Sequence, residues 1–197
     1  MAARAFTRSW LLRVAEFAEN PLFRGIRPMM LDFEDLTWLT GENQRRALGE
    51  MSRLGLVFDA LVSPSHLDDL RDTMIEFADL PVVINHFGYP DIASGDIGGW
   101  QDSMAAIARD TSASVKFSGI MVGLGADRPV ADFQPAVDHL LEHFGPQRLM
   151  WGSDWPHLLA DSDYLAWYAL GERLLEGTNE ADRTSIYGGT AAEVYRI

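Results

Sequence analysis

The chain has 197 residues, enough for one domain with a sizeable core, and its 47% apolar and 23% charged composition is that of an ordinary globular protein. A formal net charge of −13 excludes a broad nucleic-acid surface or a basic membrane-binding face, since both need a positive footprint. The absence of cysteine excludes disulfides, zinc–thiolate sites and thiol nucleophiles. No apolar run is long enough to cross a bilayer. The start carries Arg4 and Arg8 but is soon interrupted by polar and acidic residues, so it does not read as a signal peptide. A single domain over residues 1–197, in the cytoplasm, is the expectation. The basic residues are fifteen arginines and one lysine, Lys116.

In chain order, Trp10, Leu11, Val14, Phe17 and Ala18 form a helical stripe that ends at Asn20-Pro21. Residues 25–30 read as a short strand, 41–54 as a helix ending near Gly55, and 56–62 as a strand. Ser63-Pro64 opens a helix through Phe77 that buries Leu67, Leu70, Met74 and Phe77. Strands follow at 81–86, 114–118 and 148–152, each trailed by a helix, at 98–109, 130–144 and 161–175; a last helical segment lies near 190–195. Five strands, each followed by a helix, predict a parallel sheet covered by helices. The pattern does not choose between an open doubly wound sheet and a closed barrel. Arg27-Pro28-Met29 stands where a dinucleotide fold would carry its glycine-rich turn.

In parallel α/β folds chemistry gathers where strands run into their loops. Here four strand ends carry an ionisable group: Arg27; His86 in Asn-His-Phe-Gly-Tyr-Pro; Lys116, on the same strand face as Ser118; and Asp154 in Ser-Asp-Trp-Pro. Each has a plainer reading. His86 could be a satisfied core histidine, Asp154 a cap with Pro156 at the first helical position, Arg27 the partner of Asp32 or Glu34, and Lys116 a side chain snorkelling to the rim. The joint pattern on consecutive strand ends favours a site, with Trp151 and Trp155 as pocket walls. His139-Leu140-Leu141-Glu142-His143 matches the H-x-x-E-H pattern of inverted zinc proteases. The apolar stripe Val137, Leu140, Leu141 and Phe144 leaves both histidines flanking it and facing solvent, so the match reads as a chance pattern.

The blocks Gly25-Ile26-Arg27-Pro28-Met29, Phe58-Asp59-Ala60-Leu61-Val62, Val83-Ile84-Asn85-His86, Val115-Lys116-Phe117-Ser118-Gly119 and Leu149 through Pro156 together resemble the amidohydrolase-related family. The likeness is to its lactonase-like branch (fuconolactonase, rhamnonolactonase and dicarboxypyrone lactonase), and Gly188 to Ala192 with Tyr195 resembles its closing helix. The resemblance implies an α/β fold, a (β/α)8 TIM barrel of the metal-dependent hydrolase type, incomplete, with strands four to eight present. It implies lactone hydrolysis with Asp154 as general base, His86 touching metal or substrate, and Arg27, Lys116, Ser118 and Trp155 binding substrate. One divalent metal, zinc or manganese, on His86 and Asp154 is the implied cofactor. No metal is the alternative, because the family's His-x-His pair is absent: the histidines are His66, His86, His139, His143 and His157. Tyr89 stands where the family often has lysine, and 121–125 lacks a frequent acidic residue.

Five strands leave two open sheet edges, which a barrel normally removes by closure. An upstream start, a second chain covering the edge (a homo-oligomer is one form of this), or an inactive fragment would each explain them. The expected partner is a small-molecule substrate. Non-oxidative decarboxylation on the same scaffold and a non-catalytic partial barrel are the competing functions.

Overall fold

The computed structural model describes residues 8–32, 38–124 and 128–197. Among them β1 (Gly25–Ile26), β2 (Val57–Ala60), β3 (Val82–Ile84), β4 (Ser114–Phe117) and β5 (Leu149–Trp151) form one sheet in chain order, with every neighbouring pair parallel. The helices are α1 (Arg8–Ala18), α2 (Glu42–Arg53), α3 (Leu67–Glu76), α4 (Gly98–Asp110), α5 (Val130–His143), α6 (Tyr164–Leu174), α7 (Glu180–Thr184) and α8 (Thr190–Tyr195). From α3 to α6 each helix packs against the next. This is the strand–helix alternation that periodicity predicts.

The differences have local causes. The first strand stops at Ile26 rather than running to Met30, because Pro28 has no N–H to give a ladder; Met30–Asp32 instead makes a 3-10 turn. The helix opened by Ser63-Pro64 begins as a 3-10 turn, Pro64–His66, with the Ser63 hydroxyl 2.7 Å from His66 Nδ1. α6 starts at Tyr164 rather than Asp161, because the Asp163 carboxylate accepts from the Ala166 N–H at 2.8 Å and caps the helix there. The sequence reading has no counterpart to α7, a short helix capped by Asn179.

Alternation along the strands divides the side chains into two sets. Phe58, Ala60, Ile84, Val115, Phe117 and Leu149 point outward into the main core beneath the helices. Val57, Val83 and Met150 point to the inner face, where Ala191, Val194 and Tyr195 of the closing segment pack against them. The inner face of the incomplete barrel is thus partly filled by α8. The same alternation turns Asp59, Asn85, Lys116 and Ser118 inward, which is why polar residues sit within otherwise apolar strands. The close approach of β1 to β2 requires Gly25: a Cβ there would lie 2.4 Å from the Val57 carbonyl oxygen.

Candidate active site

β3 does not simply end; the chain reverses sharply. His86, Phe87 and Tyr89 all have positive φ, at 53°, 59° and 56°, a conformation that costs side-chain-bearing residues of the order of 1–3 kcal/mol each. Packing and hydrogen bonding hold the turn. Phe87 is fully buried, its ring 4.9 Å from that of Phe117, and the Trp100 indole N–H donates to the Phe87 carbonyl at 2.7 Å. The turn directs the His86 ring over Gly119, where any Cβ would come within 2.6 Å of Nδ1. Beyond β5, Asp154 also has a positive φ, 56°.

These two turns bring His86 and Asp154 together. His86 Nε2 lies 3.5 Å from Asp154 Oδ1, and the side chains are only 7% and 12% exposed. On the other ring edge, His86 Nδ1 is 2.9 Å from the buried Ser118 hydroxyl. Burial, followed by the electrostatic influence of Lys116, Arg27 and His157, pushes His86 down to about 4. The ring is therefore neutral at neutral pH. Burial raises the Asp154 carboxyl above the usual carboxylate range, against the opposing influence of His157 and Arg27. A buried carboxylate of raised pKa is a stronger base than an exposed one. Arg27 stands just past β1, and its charge also acts on Tyr89 and Tyr195.

The depressed His86 pKa makes a stability prediction. Between about pH 6.5 and 4 the unfolded chain binds a proton that the folded chain does not, so stability falls as the solution is acidified through that window. The loss is roughly 3 kcal/mol at pH 4. Urea midpoints measured at pH 7 and pH 4 should drop more steeply in the wild type than in His86→Gln. Parallel slopes for the two proteins would contradict a buried neutral ring.

Lys116 is not aimed at the same point. Its ammonium donates to Asp59 Oδ1 at 2.5 Å and to Asn85 Oδ1 at 3.2 Å, and the Tyr195 hydroxyl donates to the same Asp59 oxygen at 2.7 Å. Rather than snorkelling to the rim, Lys116 is drawn inward by a carboxylate that the sequence reading left without a role. Asn85, the residue before His86, joins this cluster to the site. A charged residue inside an all-buried strand, Phe58-Asp59-Ala60, was the available signal.

The tryptophans separate. Trp155 is 67% exposed at the rim beside Asp154. Trp151 does not line the pocket: as an outward strand residue it packs behind the sheet, with its ring 6.3 Å from Trp167 and in edge contact with Tyr164 and Tyr168. The suggested acidic partners of Arg27 lie outside the described side chains. His139, expected to face solvent, is half-buried, donates from Nε2 to the Gln101 carbonyl at 2.9 Å, and lies tilted against Trp100 with ring centroids 5.4 Å apart; His143 is exposed. Among the described residues no group of three or more His, Asp or Glu side chains could hold a metal, so the H-x-x-E-H match builds no metal centre.

Residues 7–197 match the amidohydrolase family model, and the chain belongs to that family. It is 37% identical over 188 residues to an L-fucono-1,5-lactonase of Burkholderia ambifaria, covering 93% of this chain and 65% of that protein. The chain therefore spans just under two thirds of that relative's length. Among solved structures, an amidohydrolase from Burkholderia multivorans superposes with a TM-score of 0.89 at 28% identity, over 97% of this chain and 70% of its own; one of its crystal forms has bound zinc. A putative 2-pyrone-4,6-dicarboxylic acid hydrolase from Pseudomonas putida gives a TM-score of 0.74 at 28% identity, over 94% and 67%. The sheet is thus an open run of β/α units from an amidohydrolase barrel.

His86 and Asp154 offer an imidazole nitrogen and a carboxylate oxygen, donor types that zinc favours. The described residues add no third ligand, so this pair does not by itself complete a zinc site. Among the described residues, no helix is long and apolar enough to cross a membrane.

Proposed function

We propose that the chain carries the acid–base machinery for hydrolysing a sugar-acid lactone. The observation that carries this reading is the buried His86–Asp154 pair, 3.5 Å apart at the ends of two strands, in a chain 37% identical to an L-fucono-1,5-lactonase. Asp154 takes a proton from water as the water oxygen bonds to the lactone carbonyl carbon. The ring C–O bond then breaks, Asp154 returns its proton to the departing ring oxygen, and a hydroxy acid leaves with the carboxylate regenerated. Arg27, whose charge already reaches both turns, stabilises negative charge growing on the carbonyl oxygen. Ser118 holds the His86 ring, and His86, neutral and buried, fixes the position of the Asp154 carboxylate and of the attacked carbonyl.

Acid release from L-fucono-1,5-lactone, followed by proton NMR against the spontaneous rate, tests this. The expected result is enzyme-dependent formation of the open hydroxy acid, with no carbon dioxide released from an aromatic carboxylic acid. Ring opening no faster than the blank would remove the reading, and carbon dioxide release without ring opening would replace it with decarboxylation.

A further inference from the structure

β1 and β5 are the outer strands of the sheet, so each presents a row of unpaired backbone N–H and C=O groups. Orphaned side chains collect at the same two ends. Of the buried side-chain polar atoms left without a hydrogen-bond partner among the described residues, all but His66 Nε2 lie there. Arg24 Nε precedes β1, Trp151 Nε1 is on β5, and Ser162 Oγ is in the loop from β5 to α6. Buried polar groups are normally paired, so this concentration marks surfaces built to be covered. At the β1 end, α1 and β1 leave a groove of about 320 Å³ between them, walled by Val14, Phe17, Phe23 and Ile26. Arg13 lies along it, its guanidinium 5.5 Å from the centre of the Phe17 ring. At the β5 end, α6 turns Trp167, Leu170 and Leu174 to the core and leaves a protruding stripe of Tyr164, Leu165 and Tyr168, 49%, 75% and 42% exposed. The charges differ as the shapes do. Residues 8–27 carry four arginines and two glutamates, whereas residues 161–183 carry six acidic residues and two arginines. Like ends repel and unlike ends attract.

We infer that a second copy of this chain covers both ends, the α6 stripe of one protomer entering the α1–β1 groove of its partner. All five strands are parallel, so a two-fold axis along the strands sets β5 of each protomer beside β1 of the other. Both ends are then covered at once and the assembly closes as a dimer. The occupant is a second copy because the two ends complement each other, groove to stripe and positive to negative, on a single polypeptide.

Sedimentation velocity tests this without reference to turnover. At about 10 µM the 197-residue chain should sediment at twice its chain mass. Arg13→Glu and Leu165→Glu each change a side chain already exposed in the single protomer, so far-UV circular dichroism should stay that of the wild type. Each variant alone damages both contacts of its dimer and should raise the dissociation constant by roughly 100-fold or more. Mixing the two leaves one contact between native surfaces, so dimers should return part-way. Tyr168→Glu, on the same stripe, replaces Leu165→Glu if that variant loses its circular dichroism. A folded wild-type monomer would overturn the inference and leave the two ends to a chain of different sequence. A ladder of larger species would overturn the two-fold closure. A variant that associates as tightly as the wild type, or a mixture that stays monomeric, would overturn the pairing of unlike ends.

Discussion

Asp154→Asn is expected to remove lactone turnover, lowering kcat by at least 100- to 1,000-fold, while the fold survives intact or slightly strengthened. The amide keeps the size and shape of the carboxylate but takes no proton from water, so the loss should fall on kcat with KM little changed. The stability half follows from the sign of the Asp154 shift. Burial raises its folded-state pKa above the ordinary value of 3.8. Its charged form is therefore disfavoured by folding: stability is fully present below that value and is lost as pH rises through the folded pKa. At pH 7 the native carboxylate is a net cost, which asparagine lacks. Thermal melts at pH 7 should place Asp154→Asn level with or above the wild type, and melts at pH 3 should bring the two together. Lost activity accompanied by a lower melting temperature would mean that Asp154 is a structural cap. Retained activity would remove it as the base.

Legibility in the sequence followed the range of the interactions concerned. The five strands and their helices were visible because β-branched runs and 3.6-residue stripes are local patterns, and because one open run of β/α units needs nothing else to be recognised. Boundaries shifted where a proline or a cap overrode the pattern, as at Pro28 and Asp163. His86 and Asp154 could be paired as candidates because both close a strand in a block of unusual residues. The role of Lys116 could not be read in the same way. Its partner Asp59 lies 57 residues away and Tyr195 lies 136 residues from that aspartate, distances over which periodicity is silent. Trp151 misled for the opposite reason: its nearness in sequence to Asp154 suggested a shared pocket, but strand alternation sends it to the other face of the sheet.

That buried cluster supports the second large effect, Asp59→Ala. One Asp59 oxygen, in a side chain 11% exposed, accepts from the Lys116 ammonium and the Tyr195 hydroxyl, and the Lys116 side chain is 25% exposed. Removing the carboxylate leaves the ammonium facing the inner wall against Asn85 and the Tyr195 ring, 5.4 Å from Nζ. Breaking a fully buried pair from one side costs 3–5 kcal/mol; with Lys116 a quarter exposed, about 3 kcal/mol is the appropriate expectation. For a chain of this size that lowers the melting temperature by roughly 6–12 °C. Replacing both partners, as in Asp59→Ala with Lys116→Met, leaves no unpaired charge and should recover most of the loss, because well-packed apolar pairs rival buried ion pairs. Tyr195→Phe should cost about 1 kcal/mol, the value of one hydrogen bond. If the double variant melts as low as Asp59→Ala alone, the penalty comes from lost packing and not from an orphaned charge. Recovery in the double variant would mean that the lone lysine of this chain is compatible with the fold only through a carboxylate placed on a neighbouring but one strand, and that the helix closing the chain is tied to the barrel wall through the same oxygen.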